Sequence, residues 1–204
     1  MKNHTRNLTV IAVLFAVIMI LTYMPMKVGP IEMTLRMIPV VLGGILLGPV
    51  AGAVLGGFFG LTSFFECFGL LGMPLSAFGS FMVGLDPVLT AVMCFVPRIL
   101  MGLLAALIYK GLRKTNDTLA LGVSNISGAI LNTLFFMTAL VLLFWNNPAF
   151  IEKMNSWGLD TSNLGLFTVA FVGVNGVVEA AVCAFLGTAV SKGVKKAVKF
   201  GDKN

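Results

Sequence analysis

The sequence predicts an all-α integral membrane protein with six transmembrane helices and both termini cytoplasmic. Three observations predict it. Of 204 residues, 58% are hydrophobic and only 11% are charged, whereas a soluble domain is roughly half apolar and about a quarter charged. The apolar residues gather in runs near the ~20 residues that a spanning helix needs. With both termini inside, ten of the 14 Lys and Arg residues fall on the cytoplasmic side: Lys2, Arg6, Lys110, Arg113, Lys114, Lys192, Lys195, Lys196, Lys199 and Lys203. That asymmetry is the positive-inside signature, and it requires an even number of spans. A mean hydropathy of +0.99 leaves no room for a water-facing catalytic domain and excludes disorder. The net charge of +6 is read as a topology signal rather than as a nucleic-acid footprint.

Residues 8–24 form the first span, stopped by Pro25 and retained rather than cleaved as a signal peptide. The long uncharged stretch after Arg36 is broken at Gly48-Pro49 into spans over 36–48 and 50–66, the former short for the hydrocarbon core. Residues 67–87 mix Gly, Pro, Ser and Phe, as an outer loop or a re-entrant segment would. Spans follow over 88–109, 119–144 and 165–190, the fifth ended by Asn146-Asn147-Pro148. Trp145 and Trp157 flank the last outer loop, where interfacial aromatics belong. The whole chain, 1–204, reads as one membrane domain.

Charged groups in a bilayer cost at least ~2.5–3.5 kcal/mol at its centre, so each needs a reason. Arg98, after Pro97 in the fourth span, has three readings. It faces an anionic substrate, it pairs with Glu179 of the sixth span, or it caps outer-loop carbonyls. Its planar fork suits a carboxylate. Asn125, Gly128, Ala129, Asn132 and Phe136 share one face of the fifth span. Asn132 is the ligand candidate of that face, and Asn125 is read as a helix–helix hydrogen bond. Asn175 and Glu179, four apart, share a face of the sixth span and read either as pocket wall or as interhelical glue. Glu66 and Asp86 receive no special role. Gly48, Gly52, Gly56 and Gly60 repeat every four residues, as a packing seam or a sliding surface would; Ala12-x-x-x-Ala16 is a weaker version of that pattern.

No Gly-rich phosphate loop is present, so ATP hydrolysis by this chain alone is not expected. No metal-ligand set, catalytic triad or cofactor motif is visible, and no enzyme activity is expected. Cys67, Cys94 and Cys183 lie in apolar runs and read as small buried hydrophobes, and His4 as a solvated tail residue.

The stretch Arg36 to Gly56, with Ala12-x-x-x-Ala16, Pro97-Arg98, Asn132-Thr133 and Val174-Asn175-Gly-Val-Val-Glu179, resembles the substrate-binding (S) components of energy-coupling factor (ECF) vitamin transporters. The resemblance covers nearly the whole chain. It implies a six-helix protein of the bacterial cell membrane that binds a vitamin on the outer side. It implies partners too: a coupling module of one transmembrane scaffold subunit and two ATPases, against which the S component topples. Ala12 and Ala16 would contact the scaffold, with the glycine stripe supplying a smooth surface. The fifth and sixth helices look most like pantothenate-type members. Riboflavin-type relatives tend to carry a Lys shortly after the sixth-helix Asn, where this chain has Val177, Val178 and Glu179. Arg98, or Lys27 and Arg36 of the first outer segment, would meet the pantothenate carboxylate. Asn132, Asn175 and Glu179 would meet its hydroxyl and amide groups. Other vitamins, a self-sufficient transporter and a ligand-free structural subunit remain the alternatives.

Overall fold

A computed structural model describes the backbone of residues 2–24, 26–28, 31–33 and 35–201, and side chains over 5–24, 35–173 and 176–197. The predicted site residues Lys27 and Asn175 have their side chains outside the described residues, as does His4. Helix α1, Lys2–Thr22, is followed by a short antiparallel hairpin, β1 Met26–Val28 and β2 Ile31–Met33. The all-helical expectation missed this pair; Lys27 stands opposite Glu32 in its register.

Helices α2, Met37–Leu47, and α3, Pro49–Glu66, meet at a sharp corner. Gly48 makes the corner at φ 100°, a conformation that a side chain resists, and Pro49 supplies the preset φ of the first helical position. A 3₁₀ turn at Leu70–Gly72 and helix α4, Ala77–Leu85, occupy the segment left open as loop or re-entrant. The residues that punctuate the sequence also cap its helices. Asp86 accepts from the backbone N–H groups of Val88 and Leu89 and opens α5, Pro87–Leu112. Asn116 opens α6, Asp117–Phe144, and Asn147 opens α7, Pro148–Ser156. Helix α7 lies in what reads from sequence as the last outer loop. It is held because Phe150 and Met154 are fully buried.

The predicted sixth span is not continuous. Helix α8, Leu164–Val182, breaks at Gly173 (φ 44°, ψ −144°), widens into a π-helical segment at Cys183–Gly187 and continues as α9, Thr188–Gly201. Five stretches among the described residues are long and apolar enough to cross a membrane: Thr5–Thr22, Pro49–Glu66, Pro87–Leu112, Asp117–Phe144 and Gly176–Ala197. The 11 residues of α2 rise only about 16 Å against a ~30 Å core, so its length alone does not make it a span.

The glycine stripe is an internal seam. A Cβ on Gly52 would stand 2.4 Å from the Gly102 carbonyl oxygen, and one on Gly56 2.2 Å from that of Arg98. One on Gly60 would stand 2.8 Å from that of Cys94. The glycines therefore face α5 within the chain, and the sliding-surface reading of the stripe is withdrawn. At the opposite end from Arg36, Asp117 accepts hydrogen bonds from Tyr109 and Lys195, knotting α5, α6 and α9. Asn125 donates to Ser191 at 3.3 Å, the interhelical bond expected of it.

Gly56→Val therefore forces backbone apart from backbone and should cost ~1–3 kcal/mol or more. Gly57→Ala, whose new Cβ would meet nothing nearer than 3.8 Å, should be near neutral. Thermal denaturation of both variants in detergent checks the contrast.

Candidate functional site

The seam brings two arginines to one phenylalanine. The Arg36 and Arg98 guanidinium carbons lie 5.1 and 5.6 Å from the Phe59 ring centroid, within the range of cation–π attraction. Both arginines are buried, and their surroundings divide them. Arg36 donates to the Glu66 carboxylate at 2.6 Å and to Thr22 Oγ1 at 3.4 Å, a contact that joins the C-terminal ends of α1 and α3 to the start of α2. A ligand would have to compete with a carboxylate already in place, so Arg36 serves poorly as the anion receptor expected of it. Glu66, passed over in the sequence, is the counter-charge; the 30 residues between the two hid the pairing.

Arg98 is held differently. Its hydrogen bond goes to the backbone rather than to the Glu179 carboxylate considered from sequence. Its Nη1 donates to the Met93 carbonyl at 2.6 Å. The reason is local. Pro97 has no N–H to give the carbonyl four residues before it, and Arg98 supplies the missing donor. This is a cap on a helix carbonyl rather than on an outer loop. The Arg98 Nε remains without a hydrogen-bond partner although it is buried. Leaving such a donor unsatisfied costs at least ~1–3 kcal/mol.

The Arg98 guanidinium also lies 5.1 Å from the centroid of Phe136 on α6. Asn132, one turn before Phe136, is buried with its Oδ1 unpartnered. The α5–α6 wall thus carries a buried unsatisfied donor and a buried unsatisfied acceptor. Phe136 continues outward into an aromatic cluster with Phe78 of α4 and Phe171 of α8. Phe59, Phe78 and Phe171 carried no sequence signal, because a phenylalanine in an apolar run looks like any lipid-facing residue. Glu179 is buried below the α8 break. Thr133, its neighbour Asn132's partner in the sequence motif, instead lines a groove of about 630 Å³ between α6 and α8 with Gly173 and Gly176. Ala12 and Ala16 are exposed on the outer face of α1, whose Leu14 and Ile18 point inward.

A multi-pass apolar bundle with a buried, partly unsatisfied polar wall fits a membrane transporter component better than a catalyst. Comparison with known proteins agrees. Residues 6–191 match the family described as ECF transporter, substrate-specific component, and the chain belongs to that family. It is 28% identical to the pantothenic acid transporter PanT of Lactococcus lactis subsp. cremoris, over 96% of this chain and 97% of that protein. It is 30% identical to the pantothenate transporter PanT of Leuconostoc mesenteroides subsp. mesenteroides, over 87% of this chain and 86% of that one. The sequence resemblance is borne out at the level of family.

Because Arg36 and Glu66 pair where both are buried, Glu66→Ala should destabilise the fold by ~3–5 kcal/mol. The double variant Arg36→Met/Glu66→Ala should recover much of the loss. A melting-temperature series on the two single variants and the double variant measures the coupling.

Proposed function

We propose that this chain is the vitamin-binding S component of an ECF-type importer and that its vitamin is pantothenate. The observation that carries the reading is the buried Arg98 Nε without a partner, on a guanidinium that lies against Phe136, one helical turn from Asn132 with its own unpartnered Oδ1. An anionic ligand with hydroxyl and amide groups supplies what both atoms lack. The two full-length relatives named for pantothenate favour this vitamin over riboflavin.

In this reading Arg98 takes the carboxylate, Asn132 accepts from a ligand hydroxyl or amide N–H, and Asn175 and Glu179 line the wall beyond the α8 break. Lys27 would stand above the site on β1. Six crossings, with α2 as a short second one, put both termini in the cytoplasm of a bacterial cell. Energy comes from a partner module of a scaffold subunit and two ATPases, and release follows when the S component topples against that scaffold. Ala12 and Ala16, exposed and small, form the contact.

Thermal-shift titration of the purified protein with a vitamin panel tests the ligand. Pantothenate at ~100 Kd should stabilise by about 2.7 kcal/mol, with no shift from riboflavin. Arg98→Ala should weaken pantothenate binding far more than Arg98→Lys; equal binding by both would make Arg98 structural.

Ala12→Leu tests the partner surface separately. It should leave pantothenate binding intact and block vitamin uptake by cells. Normal uptake would remove the contact role from α1.

A further inference from the structure

The Arg98 guanidinium is held against two aromatic rings. Its Cζ lies 5.6 Å from the Phe59 ring centroid and 5.1 Å from that of Phe136. The rings come from α3 and α6, the main neighbours of α5. Each ring is fixed by contacts of its own. Phe59 is fully buried and also carries Arg36 at 5.1 Å. Phe136 stands 6.2 Å from Phe78 and is stacked on Phe171 at 6.4 Å.

A ring attracts a cation through its face and takes up none of the in-plane N–H donors of a guanidinium. A carboxylate does take them up, as Glu66 does for Arg36. Of the Arg98 donors, Nη1 is spent on the Met93 carbonyl at 2.6 Å, while Nε is buried without a partner. Nε shares one edge of the planar guanidinium with Nη2. That edge presents two parallel N–H groups, the fork that a two-oxygen anion accepts bidentately. Helix packing alone is met by any apolar side chain at position 136, and only an aromatic one adds attraction for the arginine. A long side chain fixed in advance also gives up less freedom when a ligand arrives.

We propose that Phe59 and Phe136 are positioning residues that hold Arg98 and so keep its Nε–Nη2 edge for a two-oxygen anion, which makes Phe136 a determinant of specificity for a carboxylate over an alcohol. The proposal rests on the reading that Arg98 takes the ligand carboxylate. The rings act through the arginine.

The first test compares dissociation constants for pantothenate and for its alcohol analogue, in which a primary alcohol replaces the carboxylate. The parent should prefer the acid ~100-fold or more, because the alcohol leaves the charge and one donor of the fork unmet. Phe136→Leu should weaken pantothenate binding about ten-fold and alcohol binding little, so that the preference shrinks. Phe136→Tyr, which keeps a ring face, should behave like the parent. Loss of packing alone weakens both ligands alike and overturns the proposal. So does an acid preference that Phe136→Leu leaves unchanged, and that result keeps the carboxylate reading.

The second test needs no vitamin. Melting temperatures of Arg98→Met, Phe136→Leu and the double variant form a cycle on the ligand-free protein. The double variant should lose about 2 °C or more less than the sum of the two single losses. Fully additive losses mean that the ring does not hold the guanidinium, and they overturn the proposal. Coupling in a protein that binds no pantothenate supports the hold on Arg98 and removes the vitamin assignment instead.

Discussion

Between α3 and α5 there are no side chains on α3 at three successive turns, and the packing around the two arginines depends on that absence. Gly52, Gly56 and Gly60 let carbonyl oxygens of α5 approach to where a Cβ would otherwise stand. Lipid tails are as apolar as leucine, so helices in a membrane gain little from hydrophobic burial against one another. Close backbone packing is what remains to hold them. Here the seam also sets chemistry. It fixes the α5 carbonyl of Arg98 against Gly56 and so brings Arg98 to the ring of Phe59, which α1 and α2 reach through Arg36. Widening the seam by one methyl group would move an arginine as well as a helix.

The two arginines illustrate how one environment yields opposite roles. Both are buried and both face the same ring. Arg36 has a carboxylate at hydrogen-bond distance and is neutralised within the fold. Arg98 has only a carbonyl, freed by Pro97, and two aromatic faces. A buried charge of either sign is expensive without a partner, and that cost is what an anionic ligand would relieve in the proposed function. The proline thus sets the arginine: it opens the helix carbonyl that orients the guanidinium.

The long apolar stretches and the corner at Gly48-Pro49 were legible because hydropathy and Gly/Pro punctuation are local signals, but the count of six spans was not matched: five stretches among the described residues are long and apolar enough to cross. Asn125 was legible as an interhelical bond because its position near one end of α6 limits what it can meet. The β1–β2 hairpin was not legible, since six short residues within a polar connection carry too little pattern. Nor was the Gly173 break, because an isolated glycine in an apolar helix is ordinary and only a backbone angle reveals its use. The pairing of Arg36 with Glu66 and the approach of Arg98 to Phe136 are long-range facts set by the α3–α5–α6 packing. No spacing in the sequence encodes them. Arg98 and Asn132 could be named as candidates from residue type alone, but the Phe136 ring against the guanidinium could not.

The knot of Lys195 with Asp117 and Tyr109 joins residues 78 apart in the chain. Synthesis runs from the N-terminus, so α5 and α6 are complete well before the last helix emerges. Until then Asp117 waits at the end of an α5–α6 hairpin that already has its own bond to Tyr109. The final helix therefore docks onto a finished template, and its lysine closes the bundle as the last step of assembly. A chain cut short before α9 would lose that closure while keeping every element of the arginine wall on α1 to α6.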